Sequence, residues 1–173
     1  MSKTYQNILS KSTFTPNKDW LQIKTIDMHT GGEPLRVIVD GFPEVKGNSV
    51  LEYRRYCKEN FDYLRTALLF EPRGHADMYG CILVPPNDND ADFGIIFLHN
   101  EGYSTMCGHA IIAISTLAVE MKWIEVKEGE NILNIDAPCG RITSFAKVKN
   151  GKPELVGHEN TRSFKVSPTF KPI

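Results

Sequence analysis

At 173 residues, with 41% apolar and 24% charged side chains, the chain is long enough for one domain with a buried core and too apolar for disorder. Its net charge of −1 gives no electrostatic footprint for nucleic acid or an anionic membrane surface, and no apolar stretch reaches the length of a bilayer span. Residues 1–20 lack the apolar core of a secretory signal, and the four cysteines (Cys57, Cys81, Cys107, Cys139) form no Cys-x-x-Cys pair, so the expectation is a cytoplasmic protein with reduced thiols.

Residues 1–20 read as a loose, flexible lead-in rich in Ser, Thr, Asn and Lys. Leu21–Met28 and Leu35–Asp40 are partly alternating and β-branched, as half-buried strands are, and His29-Thr30-Gly31-Gly32-Glu33-Pro34 between them is a turn whose glycines are free to take positive φ. Ser49-Val50-Leu51-Glu52 has the spacing of a capping box. A helix is expected from there to about Leu69, with Leu51, Tyr56, Leu64 and Leu68 on one face. Arg73-Gly74-His75-Ala76-Asp77 follows as a polar loop, either an anion site or a solvated surface.

Strands are expected at Met78–Val84 and Phe93–His99, around a Pro/Asn/Asp turn. Ala110–Met121 is apolar nearly all round, which favours a helix enclosed by other elements. Ile132–Asp136 and Arg141–Val148 read as strands around Ala137-Pro138-Cys139-Gly140, and the segment from Asn150 onward alternates poorly. The order ββαββαββ argues for an α+β domain in which a curved sheet wraps one apolar helix.

The chemistry concentrates at Thr105-Met106-Cys107-Gly108-His109-Ala110. A cysteine at the start of a buried helix meets unpaired backbone N–H groups, which favour a thiolate and can also bind a carboxylate. Gly108 lets a ligand approach the backbone closely, and His109 places an imidazole beside the thiol. The bland reading of any cysteine is a buried structural thiol, and Cys57 and Cys81 read that way. A metal site would draw on His29, Glu33, His75, Asp77, His99 and His109, but these show no recognised ligand spacing. A serine hydrolase has no Gly-x-Ser-x-Gly elbow to support it.

Three stretches together resemble the proline racemase family, which includes hydroxyproline epimerases and trans-3-hydroxy-L-proline dehydratases. They are Ile26-Asp27-Met28-His29-Thr30-Gly31-Gly32-Glu33-Pro34, Glu71-Pro72-Arg73-Gly74-His75-Ala76-Asp77-Met78, and Asn100-Glu101-Gly102-Tyr103 running into Met106-Cys107-Gly108-His109. Glu33-Pro34-Leu35-Arg36, Arg54-Arg55-Tyr56, Phe97-Leu98-His99-Asn100, Ala110 and Pro138-Cys139-Gly140 are most similar to the dehydratases. The resemblance implies a diaminopimelate-epimerase-like fold of two similar lobes, each a curved or barrel-like sheet around a central helix. It implies a hydroxyproline or proline substrate, no cofactor, no metal, and a homodimer for full-length members. By position, Cys107 would be the proton acceptor, and the Gly108 and His109 backbone would hold the substrate carboxylate, with the His109 side chain near the ring nitrogen.

The resemblance covers one lobe. Residues 21–158 correspond to it, residues 159–173 form an atypical tail with a faint likeness at Glu159–Phe164, and the second lobe with its Asp-Arg-Ser-Pro-(Cys/Thr)-Gly-Thr motif is missing. The expected activity is dehydration of trans-3-hydroxy-L-proline to pyrroline-2-carboxylate. The alternatives are a proline racemase or hydroxyproline 2-epimerase, and an inactive, truncated half-enzyme.

Overall fold

The computed structural model describes residues 2–11 and 13–160. In chain order the elements are α1 (Lys3–Ser10), β1 (Lys24–Thr30), β2 (Glu33–Asp40), α2 (Val50–Asn60), α3 (Asp62–Leu69), β3 (Tyr79–Val84), β4 (Phe93–His99), β5 (Gly102–Ser104), α4 (Gly108–Glu120), β6 (Gly129–Ala137), β7 (Gly140–Lys149) and β8 (Lys152–Asn160). Strands run across one sheet in the order β1-β2-β3-β4-β6-β7-β8, with β5 paired to β4. The β2–β3 and β4–β6 pairs are parallel and the others antiparallel.

Strands β3 and β4 are covered on both faces, which is why they read as continuous apolar runs. Cys81, Ile95 and Phe97 turn to the layer containing α4, while Ile82, Ile96 and Leu98 turn to the layer of α2 and α3. Helix α4 is buried over most of its surface and packs against β1, β2, β3, β7 and β8. The expected α+β lobe, a curved sheet around a buried helix, is therefore what the chain forms. The sheet stays open: β1 and β8 are its ends and do not pair. A groove of about 300 Å³ lies between Thr30-Gly31 and Pro153–Val156, with Ile112 and Thr116 of α4 as its floor.

Local chemistry accounts for most element ends. Gly31 (φ 61°) and Gly32 (φ 101°) make the tight β1–β2 hairpin, where both central residues need positive φ. Ser49 Oγ accepts from the Glu52 N–H at 3.3 Å, and Glu52 Oε2 accepts from the Asn48 N–H at 2.8 Å. That is the expected capping box, displaced by one residue on its return arm.

Three segments differ from the sequence expectations. The helix expected to reach Leu69 breaks at Phe61, whose φ of −129° ends α2 and starts α3. Its buried face is Val50, Tyr53 and Cys57, then Leu64, Arg65, Leu68 and Leu69, and Leu51 is 53% exposed. Within the lead-in, Ser2 caps the short helix α1, which buries none of its side chains. The segment after Asn150 forms β8, paired along β7 and running through the boundary expected at 158. Of the faint likeness at 159–164, residues 161–164 lie outside the described residues. Among the described residues no helix is long and apolar enough to cross a membrane.

Candidate active site

Cys107 is the N-cap of α4. Its backbone is extended (φ −147°, ψ 105°), and its carbonyl accepts the first helical hydrogen bond, from the Ile111 N–H at 3.1 Å. The N–H groups of Gly108, His109 and Ala110 are thus left without acceptors inside the helix. Cys107 is only 6% exposed. His109 folds back along it, with Nδ1 at 3.4 Å and Nε2 at 3.6 Å from Sγ, so the ring lies beside the sulfur. Sequence proximity therefore becomes spatial contact for all three residues of the motif.

Neighbouring elements fix this arrangement. Thr30 Oγ1 at the end of β1 donates to the His109 carbonyl at 2.9 Å. The Tyr79 ring meets His109 edge to face at 4.8 Å and lies tilted against His99 at 5.6 Å. From β8, His158 Nε2 comes within 3.1 Å of the point where a Cβ on Gly108 would stand.

The loop before Cys107 is held from four sides. Arg54 donates to the Tyr103 carbonyl, and Arg65 donates to the carbonyls of His99 and Asn100. Asn100 Nδ2 donates to the carbonyls of Leu69 (3.1 Å) and His75 (3.2 Å). The Cys139 N–H, at the tip of the β6–β7 hairpin, donates to the Thr105 carbonyl at 3.1 Å.

Burial pushes the Cys107 thiol up to about 11; the Ala110 backbone N–H opposes the rise and the Glu33 carboxylate adds to it. The helix start favours a thiolate, but burial outweighs it, so the resting sulfur is a thiol at neutral pH. Tyr79 is also raised, first by burial and then by the charges of Cys107, Glu101, Glu33 and Asp77. Three carboxylates thus act on the Tyr79 hydroxyl. Burial holds the protonation of His158 below the usual imidazole range.

Of the other candidates, Glu33 acts on the thiol and His99 packs against Tyr79. Cys57 and Cys81 are core thiols, as read from sequence. The His75 ring contacts the Ala76 carbonyl at 2.6 Å, and His29 Nδ1 accepts from the Gly32 N–H. Among the described residues no group of three or more His, Cys, Asp or Glu side chains is placed to hold a metal ion. The Arg73–Asp77 loop has structural employment, since Arg36 Nη1 donates to the Arg73 carbonyl at 2.8 Å and the Gly74 N–H donates to the Phe70 carbonyl at 2.9 Å.

Sequence reasoning missed Thr30 and Tyr79 as neighbours of His109 and His158 as a neighbour of Gly108. Thr30 lies within a quoted motif and Tyr79 directly follows one. His158 was findable only by pairing β8 with β7, for which Asn150-Gly151 was the signal.

A family model, Proline racemase, matches residues 25–169. The chain is 51% identical over 140 residues to a trans-3-hydroxy-L-proline dehydratase of Bacillus thuringiensis subsp. konkukian, covering 81% of this chain and 42% of that protein. It is 45% identical over 150 residues to a trans-L-3-hydroxyproline dehydratase of Xenopus tropicalis, covering 86% of this chain and 43% of that one. The chain thus spans about two-fifths of the length of these curated relatives. Its fold matches a hydroxyproline epimerase from Agrobacterium vitis, solved with bound trans-4-hydroxy-L-proline, at a TM-score of 0.73 and 26% identity, over 78% of this chain and 40% of that one. With the family model matching most of its length, the chain belongs to the proline racemase family.

Proposed function

We propose that this chain is the Cys107-bearing half of a trans-3-hydroxy-L-proline dehydratase, with Cys107 as the base that removes the substrate's α-proton. The observation that carries the reading is the mouth of α4: a buried thiol on the N-cap, a side-chain-free Gly108 beside it, and the His109 ring 3.4 Å from the sulfur. The names of the relatives supply the substrate.

In this reading the substrate carboxylate takes the N–H groups of Gly108 and His109, where the helix start favours an anion. The charges of Glu33, Asp77 and Glu101, which act on Tyr79, favour a cationic ring nitrogen on that side of the site. His109 accepts the thiol proton, so that a thiolate forms in a site where burial otherwise disfavours it. The thiolate takes the proton from Cα, and the helix N–H groups stabilise charge that develops on the carboxylate. The electron pair left on Cα forms the C2–C3 double bond as the C3–O bond breaks. The departing hydroxide takes the proton that His109 received from the thiol and leaves as water, and the enamine tautomerises to pyrroline-2-carboxylate.

The test completes the lobe. The chain is joined to the remaining part of the Bacillus thuringiensis relative and assayed with trans-3-hydroxy-L-proline, beside the 173-residue chain alone. The joined protein is expected to form pyrroline-2-carboxylate, and Cys107→Ser to lower that rate by about a thousandfold. Activity that survives the substitution removes Cys107 from its role. The solved epimerase motivates the second reading, racemisation or epimerisation. That reading predicts solvent deuterium at Cα with inversion and no loss of water.

A further inference from the structure

His158 stands at the mouth of α4 and has no part in the reaction described above. It lies in mid-β8, half-buried, opposite Ser144 of β7 in register. Cα–Cβ bonds of a helix tilt toward its N-terminus, so the Cβ position of Gly108 lies toward the open end of α4. His158 Nε2 is 3.1 Å and Cε1 3.7 Å from that position. The imidazole therefore fills the space that a side chain on Gly108 would take, next to N–H groups that have no partner in the helix.

We propose that His158 is a third contact of the carboxylate subsite, donating from Nε2 to the carboxylate of a prolyl ligand held by Gly108 and His109. This rests on the reading of those two residues as carboxylate contacts. His158 faces Gly108 at the start of α4 and stands opposite the uncharged Ser144 of β7, and no charged side chain acts on its titration; Glu159 alternates to the other face of β8. Burial disfavours the protonated ring, partly offset by a hydrogen bond from the ring to its own backbone carbonyl. An arriving carboxylate favours the imidazolium, so binding takes up a proton and tightens as pH falls.

Imidazole NMR of the 173-residue chain tests this, with its five histidines assigned by single His→Gln variants and titrated with and without L-proline. L-Proline is expected to raise the His158 midpoint by about one pH unit, equivalent to about tenfold tighter binding to the protonated ring. His158→Phe keeps an aromatic ring without the donor, and should narrow the ratio of L-proline affinities at about pH 6 and about pH 8. L-Prolinamide, which lacks the carboxylate charge, should leave the midpoint in place. The proposal is overturned if L-proline moves the Gly108 and His109 signals but not the His158 midpoint, or if L-prolinamide moves that midpoint equally. If none of the three residues responds to L-proline, the carboxylate reading itself fails and this contact falls with it.

Discussion

At the Cys107 sulfur, the helix start and the surrounding protein pull in opposite directions. Its pKa of about 11 leaves about one molecule in a thousand as thiolate at pH 8. Alkylation of Cys107 by iodoacetamide, followed by peptide mass spectrometry, should therefore rise about tenfold per pH unit up to about pH 10. A plateau below about pH 9 would contradict the burial argument. Glu33→Gln removes a charge that opposes the thiolate, and should raise the alkylation rate at fixed pH about two- to threefold. Gly74 illustrates a motif residue of a different kind. A Cβ there would fall 2.1 Å from the Leu69 carbonyl oxygen, which is main chain and cannot step aside. Gly74→Ala should cost about 2 kcal/mol or more in urea unfolding.

Among the elements, α3 and the loop before Cys107 are coupled through one side chain. Arg65 is 7% exposed, pairs with Asp62 through two nitrogens, and also serves the carbonyls of His99 and Asn100. Removing it leaves carbonyls without donors and a carboxylate without its partner. Arg65→Ala should lower stability by about 3 kcal/mol in denaturant unfolding, and Arg65→Lys should recover only part of that loss because an ammonium lacks the planar fork. The same region shows which elements were legible in the sequence. The strand at Phe93–His99 was placed to the residue because double burial writes a continuous apolar run. The break at Phe61 was not legible, since Tyr56, Leu64 and Leu68 keep a plausible helical spacing across it. Strand β8 was hidden by its own composition. Its pattern Lys-Pro-Glu-Leu-Val-Gly-His-Glu-Asn alternates weakly, and only Asn150 (φ 54°) and Gly151 (φ 72°) announce the hairpin that pairs it with β7. Cys107, Gly108 and His109 were legible because they are adjacent in sequence, whereas Tyr79 and His158 join them only through the sheet.

For the whole molecule, the buried thiols set a limit at alkaline pH. Burial pushes Cys57 up to about 12 and Cys107 up to about 11, and moves Cys81 and Tyr103 in the same direction. Below about pH 7.5 these groups are protonated in both folded and unfolded chains, so they add no pH dependence. Above it the unfolded chain releases protons that the folded chain retains, and stability falls as pH rises through the folded values. As far as these groups are concerned, urea midpoints should be level up to about pH 7.5 and decline beyond it, and Cys57→Ala should make the decline less steep.

The two edges of the open sheet also set the order in which the mouth of α4 comes into being. Thr30 reaches His109 from β1, which precedes it by 79 residues, while His158 approaches Gly108 from the opposite edge and a later part of the chain. Both contacts close loops of tens of residues, so they form after the local hairpins and the helix itself. A chain emerging from the ribosome can form the β1–β2 hairpin and α4 before β6 and β7 complete the core layer around that helix and before β8 reaches its mouth. Protection of Cys107 from a thiol reagent should therefore lag behind the recovery of helical signal during refolding, which makes that sulfur a clock for the last step of assembly.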